Sequence, residues 1–238
     1  MDTCGYPKDG FWFYQSLWRQ DIPVLHVFPH LNLDLEPGTV YPVMAYTNCP
    51  TVELTVDGKR YGVKAYEFPN QGMTKEWPHF DHPLAPVTTN DLHLSWDVPA
   101  GAKEIVAIGR DLEGREIARE VIRPAGPAAR MELRADRDCL SADGRSVAQI
   151  EITLRDAEGT PVPDQDREIR LQVSGGTLLG MDNGWQGDHT LYRAGKRCTF
   201  RGLAFAVVRA PREAGGIRIR AEAEGLAPVE ILICAKES

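Results

Sequence analysis

Apolar and polar residues alternate with a period of two along most of this chain, and turns cut each alternating run short. Such alternation puts successive side chains on opposite faces of a strand, so that one face enters a core and the other meets water. Val52-Glu53-Leu54-Thr55-Val56, Asp57-Gly58, then Lys59-Arg60-Tyr61-Gly62-Val63 is the clearest case, a hairpin signal with D-G at its turn. The 22 glycines and 17 prolines supply many turns of this kind. A chain so patterned is confined to antiparallel sheets that must stack in pairs to bury their apolar faces.

The runs fall into two groups. Val24–Phe28, Val40–Tyr46, the 52–63 hairpin, Leu92–Val98, Ile105–Ile108 and Ile117–Ile122 make the first, with a turn at Glu113-Gly114. Arg130–Ala135, Gln149–Leu154, Ile169–Val173, Ala204–Val208, Ile217–Ala221 and Val229–Ile233 make the second, with a turn at Glu158-Gly159. Each group has the size and spacing of an Ig-like β-sandwich. Before them, residues 9–20 read as one short helix capped by Asp9. Helical spacing puts Phe11, Tyr14, Gln15 and Trp18 on one face, widened by Trp12 and Phe13. Burying three of those aromatic rings represents about 10 kcal/mol gross, so this face needs a partner. The first sandwich near Val24–Phe28 is the expected one, since a short connection costs little closure entropy. Self-association is the second.

Composition divides where the runs do. Fifteen of the 19 aromatic residues lie before residue 127, and net charge is −6 before it and −1 after it. Pro124-Ala125-Gly126-Pro127 reads as the linker. The expected domains are 1–22, 23–126 and 127–238. An overall charge of −7 argues against a nucleic-acid backbone or a membrane surface as partner.

Motifs of catalysis are absent: the chain has no G-x-G-x-x-G, P-loop, H-E-x-x-H or G-x-S-x-G. The five cysteines show no C-x-x-C spacing and read as isolated buried hydrophobes. His79-Phe80-Asp81-His82 offers imidazole and carboxylate groups but sits in a Pro- and Thr-rich loop, and reads as metal-free. His26 and His30 read as packing residues. No cofactor or metal is expected. Asp182, Asn183 and His189 surround Trp185 in a polar loop, which reads first as a turn and second as a sugar or cation contact. Trp185 is the first sugar-stacking candidate and Trp77 the second, an indole face offering apolar area beside hydrogen-bonding groups. Trp96, inside an alternating run, reads as core.

Longer stretches resemble a known family. Asp2-Thr3-Cys4-Gly5-Tyr6-Pro7-Lys8-Asp9 with Phe13-Tyr14-Gln15-Ser16-Leu17-Trp18 resembles the end of the catalytic barrel of glycoside hydrolase family 2, the β-galactosidase-like enzymes. Pro29-His30-Leu31-Asn32 is similar to that family's P-H-W-N, with Leu31 in place of the aromatic residue. Val43–Cys49, Val52-Glu53-Leu54 and Leu94–Pro99 continue the likeness. Leu140–Gly144, Leu179–Gly184 and Phe200–Ala204 resemble the Ig-like module that follows. The Thr74–Thr89 stretch departs from the pattern.

The resemblance implies a mainly β chain: two Ig-like antiparallel sandwiches in tandem, preceded by a helical remnant of a (β/α)8 barrel. It implies a parent that hydrolyses glycosides with two glutamates about 5–5.5 Å apart. Those glutamates are expected upstream, because a barrel takes about 250 residues. No residue here is therefore assigned a catalytic role. The expected partners are the parent's barrel, glycans and a second copy of the chain. The opening residues read as the interior of a longer chain, which leaves cytoplasmic and secreted locations both open. The alternatives are a carbohydrate-binding module pair using Trp77, Trp185 or Tyr192, and an Ig-like cell-surface spacer.

Overall fold

The computed structural model describes residues 1–36, 38–65 and 93–237. The chain divides into two units: Pro7–Pro124 with Met1, and Ala125–Ser238 with Asp2–Tyr6. No helix among the described residues is long and apolar enough to cross a membrane.

Among the described residues, the first unit holds α1 (Asp9–Trp18) and seven strands. β1 (Leu25–Phe28), β2 (Val40–Thr47) and β5 (Leu94–Pro99) form one sheet in the order β1-β2-β5. β3 (Thr51–Val56), β4 (Lys59–Lys64), β6 (Ile105–Arg110) and β7 (Glu116–Ile122) form the other, in the order β4-β3-β6-β7. All pairings are antiparallel. The alternation works as the sequence demands: Val43, Ala45, Val52, Leu54, Val98, Ile105 and Ala107 are fully buried. Trp96 is core, 2% exposed. At the D-G turn, Asp57 and Gly58 both adopt positive φ, 47° and 76°. Asp57 Oδ1 then accepts the amides of Lys103 and Glu104, tying the hairpin to the approach to β6.

Helix α1 packs on β1 and β2, as its short connection led us to expect, but by a different face. Trp12 stacks on His26 of β1, ring centroids 5.1 Å apart. Phe13 meets Tyr46 of β2 at 5.3 Å, and Ser16 is buried. Tyr14 and Trp18 stay 52% and 75% exposed. The expected contact through Phe11, Tyr14 and Trp18 is therefore corrected to one through Trp12, Phe13 and Ser16. The reason is visible in the sequence: aromatic residues lie on both faces, and only one can turn inward. Asp9 is not the cap either. Lys8 occupies that position, and the Asp9 carboxylate lies 3.0 Å from His26 Nε2.

The second unit is a sandwich of four and five strands. β8 (Arg130–Ala135), β10 (Val147–Arg155), β12 (Thr177–Asp182) and β14 (Leu203–Arg209) order as β12-β14-β10-β8. β9 (Cys139–Ser141), β11 (Glu168–Ser174), β13 (Lys196–Cys198), β15 (Gly215–Ala223) and β16 (Val229–Lys236) order as β13-β11-β15-β16-β9. Ile150, Ile152, Leu154, Ile169, Ile217 and Ile219 are fully buried between them. β9 pairs parallel to β16, the one exception to antiparallel pairing among the described strands. Glycine is obligatory at one turn: Gly202 has φ of 73°, and a Cβ there would lie 1.9 Å from the Val162 carbonyl oxygen.

The cysteines correct the sequence reading. Cys139 and Cys234 face each other across the β9–β16 register and are joined in a disulfide. They are separated by 95 residues, so no local spacing announces the pair. Cys49 is buried as expected, Cys4 is half-buried and Cys198 is exposed.

Burial of charge in the first unit has a testable consequence. Burial pushes the Glu120 carboxyl up to about 7, against the opposing pull of the Val27 N–H that it accepts at 2.7 Å. A raised carboxyl penalises the folded state once it must ionise. Its penalty is absent below the ordinary value near 4.5, grows as pH rises toward 7 and is constant above. His26, whose imidazole burial pushes down, works in the opposite sense. Glu120→Gln is therefore expected to raise the thermal midpoint of the first unit at pH 8 and leave it nearly unchanged at pH 4. Parallel scans of the two proteins check this, and a variant equally destabilised at both pH values contradicts it.

Candidate functional site

The loop that follows β12 carries most of the residues singled out by sequence, and it is built on buried polar groups. Asn183 is 2% exposed. Its Nδ2 donates to Asp188 Oδ2 and to the Cys198 carbonyl, both at 2.9 Å, and its Oδ1 accepts the Trp185 amide at 3.0 Å. Asp188 Oδ2 also pairs with Arg197 Nη1 at 2.9 Å, and its Oδ1 accepts the Thr190 amide at 2.8 Å. Burial alone would raise the Asp188 carboxyl. The Thr190 hydrogen bond and the Arg197 guanidinium outweigh it and hold Asp188 down to about 2.

Arg197 is the residue that sequence reasoning missed. It is 1% exposed, and its Nη2 donates to the Met181 carbonyl at 2.8 Å. Its guanidinium carbon lies 5.2 Å from the Tyr192 ring centroid. The sequence carried no signal for it: Lys196-Arg197-Cys198 is too short to read as a strand, and its alternation of exposed, buried and exposed shows only in the structure.

These contacts sort the candidates. Asn183 has its amide and carbonyl committed inside the loop. Trp185 is 52% exposed, with one face stacked on Phe200 at 5.8 Å and 14°. Arg201 covers Phe200 in turn, at 5.5 Å. Asp182 Oδ1 accepts the Asn183 and Gly184 amides, while Oδ2 receives the Thr3 hydroxyl at 3.4 Å. His189 is exposed, as is Tyr192. Trp77, and with it His79, Asp81 and His82, lies outside the described residues. Among the described residues no group of three or more His, Cys, Asp or Glu is arranged to hold a metal. His26 sits on β1 between Trp12 and Phe28, and His30 is exposed beyond the strand.

Two further surfaces stand out, one in each unit. In the first, Phe11, Tyr14 and Trp18 line an open, mainly apolar groove of about 550 Å³ with Met1, Gln15 and Arg19. In the second, Asp2–Tyr6 folds into a tight turn on the outer side of β14: Asp2 Oδ1 accepts the Cys4 and Tyr6 amides, and the Tyr6 hydroxyl donates to the Ala204 carbonyl at 2.6 Å. Burial, with Asp182 and Asp2 nearby, pushes the Cys4 thiol up to about 12, which keeps it protonated at neutral pH.

Comparison with known proteins agrees with this architecture. The model for glycoside hydrolase family 2 C-terminal domain 5 matches residues 131–232, and a domain of unknown function, DUF4982, matches 38–118. A beta-galactosidase of Bacteroides ovatus is 31% identical over 239 residues, covering 100% of this chain and 25% of its own length. A beta-galactosidase of Thermoanaerobacter pseudethanolicus is 25% identical over 75% of this chain and 24% of its own length. Among solved structures, a beta-glycosidase from Bacteroides vulgatus superposes with a TM-score of 0.84 at 28% identity, covering 99% of this chain and 27% of that one. A family 2 member from Bacteroides cellulosilyticus gives 0.83 at 23%, covering 100% and 31%. The chain thus spans about a quarter to a third of the length of these proteins. Two stacked-sheet units, the second carrying the family's own C-terminal domain, place the chain in glycoside hydrolase family 2, as the C-terminal region of such a protein.

Proposed function

We propose that this chain is a non-catalytic region of a longer β-galactosidase-like glycoside hydrolase, whose modules support the catalytic barrel and shape its rim. The observation that carries the reading is the open face of α1. Phe11, Tyr14 and Trp18 form an apolar groove on a helix whose other face is already packed, and such a patch is a seat for protein rather than for water. Residues 1–22 are then the end of the barrel, with 23–126 and 127–238 as the supporting sandwiches. The upstream gene sequence tests this. About 250 residues of alternating strand and helix with two glutamates at strand ends are expected. An upstream sequence of tandem Ig-like repeats would overturn it in favour of a surface spacer.

A second reading has one specific observation behind it. Trp185 is 52% exposed, its ring stacked on Phe200 and approached closely by Gly187, with its backbone amide held by Asn183, which in turn bonds Asp188. A pyranose ring stacked there would find Asp182 and His189 as polar neighbours. Calorimetric titration with galacto-oligosaccharides should give heat that Trp185→Ala abolishes. Heat unchanged by that substitution removes the loop from consideration.

A further inference from the structure

Cys139 and Cys234 are half-buried and stand directly opposite each other, yet one belongs to a three-residue edge strand and the other to the last strand of the sheet. β9 is hydrogen-bonded to the sheet through its parallel pairing with β16, along one short edge, and sends one side chain, Leu140, into the core. Parallel ladders of so few residues are weak, so β9 needs a further attachment to hold its register. The disulfide provides it. The ring it closes spans 95 residues and encloses β10 to β15, nearly the whole second sandwich. Cross-links closing long loops constrain the unfolded chain most.

We propose that Cys139 and Cys234 are the substrate pair of an oxidative-folding step, and that this chain matures in an oxidising compartment. The partner is identified by chemistry: a disulfide donor of the thiol–disulfide exchange class. In the step, the two thiols give up two protons and two electrons, and one Sγ–Sγ bond forms. The donor's own S–S bond breaks and leaves as two thiols, so no other co-reactant is needed. The other cysteines fit this setting. Cys49 is enclosed in the core of the first unit. Burial raises the thiols of Cys4 and Cys49, and partial desolvation with the Asp166, Asp188 and Glu168 carboxylates nearby raises that of the exposed Cys198, which keeps all three protonated and slow to exchange. A persistent structural disulfide is at home outside the reducing cytosol.

The full chain is produced with export to the bacterial periplasm and, separately, in a reducing cytosol. It is denatured and alkylated with iodoacetamide, before and after reduction, and the adducts are counted by mass. The exported protein should carry three adducts before reduction and five after, with Cys139 and Cys234 found in one linked peptide. The cytosolic protein should carry five throughout. The unfolding midpoint of the second sandwich should be about 10 °C lower in the cytosolic form. A Cys139→Ala/Cys234→Ala variant, exported, should match that lowered midpoint and show three adducts with or without reductant. Five adducts on the exported wild type, or linkage of either cysteine to a different partner, overturns the proposal. So does equal stability of the two forms. Thiol counting is done on the wild type and needs no folded variant, so it decides the matter even if the double variant fails to accumulate.

Discussion

Asp188→Ala is expected to cost the second sandwich about 3–5 kcal/mol, the largest effect of any substitution in its loop. The Arg197 guanidinium is 1% exposed and would keep its charge with no carboxylate to meet it. Asn183 would lose one of its two amide acceptors. The unfolding midpoint should fall by roughly 15 °C for a unit of this size. Mildly acid pH should resemble the substitution only in part. A carboxyl held down to about 2 contributes stability that is fully present above the ordinary value near 4 and is lost as pH falls toward 2. The wild type should therefore lose stability in that window and Asp188→Ala should not. Replacing Asp188 and Arg197 together by residues of apolar character should cost less than Asp188→Ala alone, because no buried charge is then left over. Guanidinium-chloride unfolding of the three proteins decides it. A single substitution costing under about 1 kcal/mol would show the pair to be solvated.

Trp96→Ala should act as strongly on the other unit, costing about 3–5 kcal/mol there. Its indole is 2% exposed at the centre of β5, with Val43 opposite it in the β2 register and the Lys64 ammonium 5.6 Å from the ring centroid. Differential scanning calorimetry should resolve two transitions, of which Trp96→Ala lowers one and Asp188→Ala the other. A single transition moved by both substitutions would argue against two separately folding sandwiches.

The strands were legible because the sequence states their rule openly. In Gln149–Leu154, every second residue is apolar and every other one is polar, and the observed strand runs Val147–Arg155 with Ala148, Ile150, Ile152 and Leu154 buried. What escaped the pattern was short or interrupted. β12 contains Gly180 and bulges between Leu178 and Gly180, which breaks its alternation. β9 and β13 have three residues each, too few to show a period. The disulfide escaped because its cysteines meet only through tertiary pairing. The face of α1 escaped for a different reason: with aromatic residues all round, helical spacing alone does not choose between Phe11 and Trp12. The loop around Trp185 was found by its residue types, but its organising group, Arg197, comes from a strand that alternation could not announce. Family membership was legible through ordered short motifs, since turns such as Leu140–Gly144 demand particular residues. There Asp143 Oδ1 accepts the Arg145 and Ser146 amides, and Gly144 takes positive φ.

If this chain serves support rather than chemistry, it should hydrolyse no glycoside alone, and one assay tests that most directly. The purified chain is incubated with nitrophenyl β-galactoside and nitrophenyl β-glucuronide, and nitrophenol release is followed against a buffer blank. Retaining hydrolysis needs two closely spaced carboxyl groups, one to protonate the leaving oxygen and one to attack the sugar. The carboxylates described in the loop and around His26 are committed otherwise: Asp188 to Arg197 and Asn183, Glu120 to the Val27 amide. Release indistinguishable from the blank on both substrates is the predicted result. Turnover that co-elutes with the folded chain through successive columns would contradict a supporting role.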